Sequence, residues 1–232
     1  TIVSEKGYIL IAEAGNRDYT KSVIKKSSQA NALLLSFFKD KEVVAQANYK
    51  TPWRTISFAD NAIDLGQFSE LSFILTDGVK EVPDWVLPGK VMRSVLTDKA
   101  VKETIDFAAK HNFQYVLLDA GWYGPERAVS SDPSVYIPEV NIPELSAYGK
   151  SKNIGLILYV NYIGLKQHLD QILPLYKKWG IAGMKFGFVD GLSQTGISWL
   201  NNAVKKAYDY GFIINVHDNY KPSGLIHSYP SW

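Results

Sequence analysis

The chain has 232 residues, of which 46% are hydrophobic, enough to form one large domain or two smaller ones. Its formal net charge is +2, and its basic residues are dispersed along the sequence. These features do not indicate a nucleic-acid-binding surface. No apolar run approaches the roughly 18 residues of a membrane span, and we expect neither a span nor a signal segment in this sequence. The absence of cysteine excludes disulfides, zinc–thiolate sites and cysteine nucleophiles, and is silent on the cellular compartment.

The first 80 residues are typical of an antiparallel β-structure. Short β-rich runs occupy residues 7–14, 32–38, 42–47 and 53–59, and turn-forming residues separate them. The lysine-containing stretch 21–26 is best read as the solvated face of a strand, and residues 61–75 are predicted to be helical. Residues 77–83 have the composition of a linker, which predicts a domain boundary near residue 80.

The rest of the chain alternates between strands and helices at a spacing of roughly 30 residues, which predicts βαβ units and a parallel sheet. The predicted strands span residues 90–96, 115–118, 155–161, 183–190 and 211–218. The predicted helices span residues 98–111, 166–179 and 197–210, with one more beginning near residue 141. Thr97 or Asp98 is the expected N-cap of the first helix. Five strands cannot close an eight-stranded barrel, so this is either an open doubly wound sheet or part of something longer.

The most informative segment is the apolar strand 115–118, which Asp119 follows directly, with Trp122 and Tyr123 close behind. A carboxylate at the carboxyl end of a parallel strand stands where barrel enzymes keep their chemistry. An acid beside flat apolar rings also suits a sugar, which stacks its C–H face and hydrogen-bonds through its hydroxyls. The high aromatic content of 13% agrees with this interpretation. The alternative is an aspartate that caps a turn, with aromatics in the core.

Other common chemistries lack a motif. The sequence contains no dinucleotide-binding glycine fingerprint, Walker A element, zincin helix or α/β-hydrolase nucleophile elbow. His111 and His168 lie on predicted helices and are most simply surface residues. His217 closes the fifth strand beside Asp218 and is a candidate site residue.

Several ordered motifs resemble glycoside hydrolase family 97, a family of bacterial α-glucosidases and α-galactosidases. In the second part of the chain they are LPGK (87–90), DFAAKH (106–111), DAGWYG (119–124), ILPLY (172–176), KFGFV (185–189) and HDNYKPSG (217–224). Upstream, EA (13–14), DY (18–19) and TPWR (51–54) match as well. The resemblance implies an α/β fold in which residues 1–80 are the C-terminal part of an N-terminal β-sandwich. Residues 81–232 are then the first part of a catalytic (β/α)8 TIM barrel, about five βα units of it.

The resemblance also implies where the chemistry lies. Retaining members carry an aspartate nucleophile at the position of Gly187, and glycine there marks the inverting, α-glucosidase-like branch. Inverting members have a glutamate at the position of Asn219, and an amide cannot serve as a base. The water would then be held by Asp218 or Asp190, and the general acid would lie beyond Trp232. The expected catalytic positions are Asp218, Asn219 and Asp190; the expected sugar-binding positions are Asp119, Trp122, Asn161, Lys185 and His217. Glu13 and Asn219 are the expected calcium ligands, with most others outside this chain.

Two functional hypotheses remain open, with a third that is weaker. The first is a calcium-assisted, inverting α-glycosidase that acts on α-linked glucosides and oligosaccharides. Residues 1–232 alone are then expected to be inactive. The second is a degenerate family member that binds α-glucans without cleaving them. The third is a free-standing five-stranded α/β domain of unrelated function. The resemblance further implies a periplasmic or secreted protein, an oligosaccharide as the ligand, and a partner segment that completes the barrel.

Overall fold

The computed structural model describes residues 2–76 and 81–232, which form two compact units. One unit comprises the described residues of 1–81 together with 190–202 and 219–230; the other comprises 82–189, 203–218 and 231–232. The strands are β1 (Ile2–Ser4), β2 (Gly7–Ala14), β3 (Ser22–Lys26), β4 (Leu33–Phe37), β5 (Trp53–Ala59), β6 (Val91–Ser94), β7 (Tyr115–Leu118), β8 (Gly155–Asn161), β9 (Gly183–Gly187) and β10 (Ile213–Val216). The α-helices are α1 (Leu71–Ile74), α2 (Asp98–Lys110), α3 (Ile142–Ser151), α4 (Tyr162–Trp179) and α5 (Gln194–Asp209). Two 3-10 helices span Ala62–Glu70 and Leu225–His227.

The first unit is built on antiparallel sheets, as predicted. Strands β1, β2 and β5 form one sheet, and β3 pairs with β4 in a second. The bounds predicted for β2 and β5 are confirmed, and Glu13 of β2 pairs in register with Arg54 of β5. The predicted helix 61–75 is a 3-10 helix followed by the short helix α1. The predicted linker 77–83 lies outside the described residues over its first four positions.

The predicted strand at residues 42–47 is wrong. The structure has no strand at these residues, and the backbone of Val44 is bonded instead to the side chain of Gln194. Val44 N donates to Gln194 Oε1 at 2.9 Å, and Gln194 Nε2 donates to the carbonyl oxygen of Val44 at 2.7 Å. A side-chain amide can replace a neighbouring strand because it offers both a donor and an acceptor.

The second unit contains one five-stranded parallel sheet, ordered β10-β9-β8-β7-β6. This confirms that the five predicted strands share a single parallel sheet. Strands β7 and β8 are buried along nearly their whole length, which explains their continuous apolar sequence. Because parallel strands end at one edge, the residues that follow β7, β9 and β10 are brought to the same side of the sheet.

Helix ends follow local capping chemistry. The Thr97 side chain accepts from Ala100 N, which confirms the predicted cap of α2. Helix α4 begins at Tyr162, four residues earlier than predicted, because Asn161 ends β8 and caps the helix directly. Helix α5 also begins earlier than predicted, at Gln194. None of the helices in the described ranges is long and apolar enough to cross a bilayer.

Candidate functional site

Charged side chains gather at the carboxyl edge of the parallel sheet, around Asp119. Lys185 Nζ lies 3.3 Å from each Asp119 carboxylate oxygen, and Arg93 Nε lies 3.5 Å from Oδ2. The side chains of Asp119 and Lys185 are only 15% and 16% exposed. Two cationic side chains therefore lie within ion-pair distance of Asp119 at the edge of the core, where the carboxylate can also accept hydrogen bonds from a ligand.

A second polar pair, His217 with Asp218, follows β10. His217 Nδ1 lies 2.7 Å from Asp218 Oδ2, which also accepts a 2.9 Å hydrogen bond from the backbone N–H of Phe188. Burial alone would raise the pKa of the Asp218 carboxyl. The hydrogen bonds from His217 and Phe188, with the charges of His217 and Lys185, lower the pKa below its usual value instead. Asp218 is thus an ionised acceptor and a weak base.

Backbone strain accompanies this pair. Phe188 and Asp218 have φ angles of 53° and 78°, in the left-handed region that residues other than glycine rarely adopt. The hydrogen bond between these two residues ties the end of β9 to the end of β10. Strain of this kind concentrates at ligand-binding and catalytic sites, where neighbouring contacts hold it in place.

Tyr159 covers Gly187 at the centre of this edge. Tyr159 pairs in register with Lys185, and Gly187 lies two residues further along the same strand, so the three positions share one face. A Cβ atom on Gly187 would overlap ring carbons Cε2 and Cζ and the hydroxyl of Tyr159. The ring of Tyr159 therefore fills the space that any side chain at position 187 would need.

The Tyr159 hydroxyl donates a hydrogen bond to Glu126, a residue that the sequence analysis missed. Burial raises the pKa of the Tyr159 phenol, and the hydrogen bond to Glu126 raises it further, so the hydroxyl keeps its proton. The loop that carries Glu126 is also held by Arg127, whose guanidinium carbon lies 3.8 Å from the Phe188 ring centre. The sequence could have indicated Glu126, because it is an acid two residues after the DAGWYG motif, on a loop at the carboxyl end of a strand.

Two predicted sugar contacts, Trp122 and Asn161, are structural residues. Trp122 is 0% exposed, and its indole Nε1 donates to the carbonyl oxygen of Tyr159 at 2.7 Å. Asn161 is 2% exposed, and its Oδ1 accepts from Gly164 N at 3.0 Å as the cap of α4. The structure gives no support to Trp122 as a sugar-binding residue, because a side chain without exposed surface cannot stack on a sugar.

Asp190, which belongs to the first unit, is also structural. Its Oδ1 accepts from the backbone N–H groups of Leu192 and Ser193, and its Oδ2 accepts from Ser193 Oγ and Lys39 Nζ. Burial raises the pKa of Asp190, but these four donors outweigh it and lower the pKa to about 2. These four donors occupy both oxygens, so the structure gives no support to Asp190 as a holder of water.

The predicted calcium ligands also lie in the first unit, and the described residues around them do not by themselves complete a calcium site. Glu13 Oε1 accepts from Asn16 Nδ2 at 3.2 Å. Its buried Oε2 has no hydrogen-bond partner among the described residues and lies 3.5 Å from the Arg54 guanidinium. Asn219 is exposed. Calcium takes about six to eight oxygen ligands, and the described ranges contain no group of three or more acidic or histidine side chains that could hold a metal ion.

Comparison with known families gives matches over both parts of the chain. The profile described as "Glycoside hydrolase 97" matches residues 84–232, and that described as "Glycosyl-hydrolase 97 N-terminal" matches residues 1–77.

Two curated relatives are similar at low identity. A retaining alpha-galactosidase of Bacteroides thetaiotaomicron is 26% identical across 97% of this chain, and a probable retaining alpha-galactosidase of Streptomyces bingchenggensis is 27% identical across 82%. The chain spans 36% and 32% of the lengths of these relatives, about a third.

Two solved structures share the fold. A glycoside hydrolase family 97 enzyme from Pseudoalteromonas sp. strain K8, in complex with acarbose, superposes with a TM-score of 0.84 at 24% identity, over 97% of this chain and 41% of its own. A beta-arabinopyranosidase superposes with a TM-score of 0.73 at 18% identity, over 97% of this chain and 39% of its own.

Proposed function

Because this chain belongs to glycoside hydrolase family 97, we propose that the complete protein hydrolyses α-linked glucosides and oligosaccharides with inversion at the anomeric carbon. The observation that carries the proposal is the packing of Tyr159 over Gly187. In the usual retaining mechanism a carboxylate attacks the sugar and forms a covalent intermediate. Gly187 has no carboxylate, and the Tyr159 ring occupies the room for one. In the proposed reaction water therefore attacks directly, which inverts the configuration.

The parallel sheet is consistent with the barrel that family 97 enzymes use to carry their active site. We assign the five-stranded parallel sheet to the first five βα units of a (β/α)8 barrel, and residues 1–80 to the end of a β-sandwich domain. The strand order and the similarity to the Pseudoalteromonas enzyme support this assignment. Strands β6 and β10 are the two edge strands of this sheet, and no further strand of the described residues pairs with them; the remaining barrel strands, from the same protein or a partner chain, would cover these edges.

In this proposal the sugar lies over the carboxyl edge of the sheet. Asp119 accepts hydrogen bonds from sugar hydroxyls, and Lys185 and His217 donate to them, since these side chains lie on or just after strands β7, β9 and β10 of the same parallel sheet. Asp218 holds the attacking water as a hydrogen-bond acceptor; its low pKa suits it to holding the water more than to deprotonating it. A carboxylic acid elsewhere in the protein protonates the departing oxygen.

A second candidate function is sugar binding without hydrolysis. The observation in its favour is that Asn219 is an amide and Asp190 is fully engaged, so two of the three predicted catalytic positions cannot serve as a base. Calcium binding through Glu13 and location outside the cytoplasm stay predictions, and no step of the proposed reaction uses calcium.

The test is the anomeric product of the complete protein. Proton NMR with an aryl α-glucoside should show β-glucose as the first product, with slower turnover of the matching aryl α-galactoside. Asp119→Asn should abolish most of this activity, whereas Asp170→Asn on α4, an exposed residue paired with Lys206, should leave it unchanged. Net retention, or a preference for the galactoside, would contradict the proposal. Sugar binding by calorimetry without hydrolysis would favour the second candidate.

A further inference from the structure

Glu126 is a carboxylate without a role in the reaction described above, and it lies near Gly187. The Tyr159 hydroxyl is one of the atoms that a Cβ at position 187 would overlap, and the same hydroxyl donates to Glu126. Glu126 therefore stands one hydrogen bond away from the space that a nucleophile's side chain would fill. In an inverting reaction this is also the region from which water must attack.

Tyr159 holds the Glu126 carboxylate, and Arg127 holds the loop that carries it. The backbone of Tyr159 is held by the buried Trp122 indole, which donates to its carbonyl oxygen, and Lys185 Nζ lies 5.4 Å from the centre of its ring. On the loop itself, Arg127 stacks on Phe188, the residue directly after Gly187. Glu126 is nevertheless exposed, so water and substrate can reach it.

We propose that Glu126 is the general base of the reaction and that Tyr159 is the residue that positions it. This inference rests on the proposed function, which requires water to attack. Because the Tyr159 hydroxyl donates its only proton to Glu126 Oε1, the other carboxylate oxygen can accept a proton from water. In this arrangement the carboxylate lies on the loop after β7. It does not lie at the end of β9, where Gly187 has no side chain.

The atoms balance as in any single displacement. The water oxygen bonds to the anomeric carbon while the bond to the leaving oxygen breaks. The water gives one proton to Glu126, and the carboxylic acid elsewhere in the protein gives one proton to the leaving alcohol. Both carboxyl groups then return to their starting states by exchange with solvent.

The experiment compares variants of the complete protein. General-base assistance contributes roughly 10²- to 10⁴-fold, so Glu126→Gln should lower kcat by about that factor while KM stays close to the parent value. Glu103→Gln, an exposed glutamate on α2 that pairs with Lys99, is the matched control and should be fully active. Azide attacks without losing a proton, so it should restore turnover to Glu126→Ala and yield the β-glycosyl azide.

Tyr159→Phe keeps the ring over Gly187 and removes the hydroxyl that holds Glu126. Its kcat should fall by a smaller factor than that of Glu126→Gln. When Glu126→Gln is already present, adding Tyr159→Phe should lower kcat little further. Calorimetry with a non-hydrolysable α-glucoside analogue checks that each variant keeps a folded sugar site.

The outcomes separate the two proposals. Wild-type inversion with an unimpaired Glu126→Gln, with a change in KM alone, or without azide rescue would overturn the role of Glu126 and leave the proposed function standing. A wild-type protein that retains configuration or does not hydrolyse sugars would overturn both. An additive loss in the double variant would remove the positioning role of Tyr159.

Discussion

Lys185 and Asp119 form an ion pair across the intervening strand β8, with Nζ at 3.3 Å from both carboxylate oxygens. Both side chains are mostly shielded from solvent, so each charge depends on the other more than in an exposed pair. The pair sets the polarity of the whole carboxyl edge, because the lysine also faces the Tyr159 ring and lowers the pKa of Asp218.

Lys185→Met should therefore weaken catalysis in the complete protein. Hydrogen bonds to charged groups are worth about 1.5–3 kcal/mol, which corresponds to a loss of roughly 10- to 150-fold in kcat/KM. Steady-state kinetics with an aryl α-glucoside measures this loss in kcat/KM. Lys206→Met, on the exposed side of α5 in an ion pair with Asp170, is the control and should behave as wild type. Equal activity of the two variants would remove Lys185 from the site.

Adding a nucleophile at position 187 should fail for a steric reason. Gly187→Asp pushes a Cβ into the Tyr159 ring, and overpacking of this kind costs about 1–3 kcal/mol. The denaturation midpoint in urea should fall, and no retained product should form. Gly66→Ala is the matched control, since a Cβ there meets nothing within 4 Å.

A second variant identifies the ring as the cause. Gly187→Asp combined with Tyr159→Ala should be more stable than the two single effects predict, because the space is then free. If Gly187→Asp alone is as stable as the Gly66→Ala control, the ring does not exclude a side chain at this position.

Asp190 should make the stability of the protein depend on acidic pH. Its folded pKa of about 2 lies below the usual value of 3.8, so the carboxylate form is favoured by folding. The stabilisation is complete above about pH 4 and disappears as the pH falls through about 2. After a discount for solvent screening it amounts to roughly 1 kcal/mol. Chemical denaturation at several pH values measures it.

The control for this prediction is Asp190→Asn, which cannot ionise. The free energy of unfolding of the variant should be lower than that of wild type at pH 6, and should change less between pH 4 and pH 2. Lys39→Met, which removes one of the four donors, should show an intermediate slope. Parallel curves for wild type and Asp190→Asn would show that other carboxylates cause the acid sensitivity.

Much of the fold was predictable because its signals are local. The apolar runs of β7 and β8 follow from burial on both faces, and the caps Thr97 and Asn141 start their helices through their own side chains. The failure at residues 42–47 has a non-local cause. Val44 takes its hydrogen bonds from Gln194, which lies 150 residues away in the sequence.

For the candidate site, the sequence by itself determined that Asp119, Lys185, His217 and Asp218 stand at one edge, since parallel strands end on the same side of a sheet. It could not determine which neighbours reach that edge. Trp122 points into the core, Asp190 is taken up by the start of α5, and Glu126 is held by Tyr159. Each of these outcomes depends on side-chain direction and on contacts between segments, and only the tertiary structure decides both.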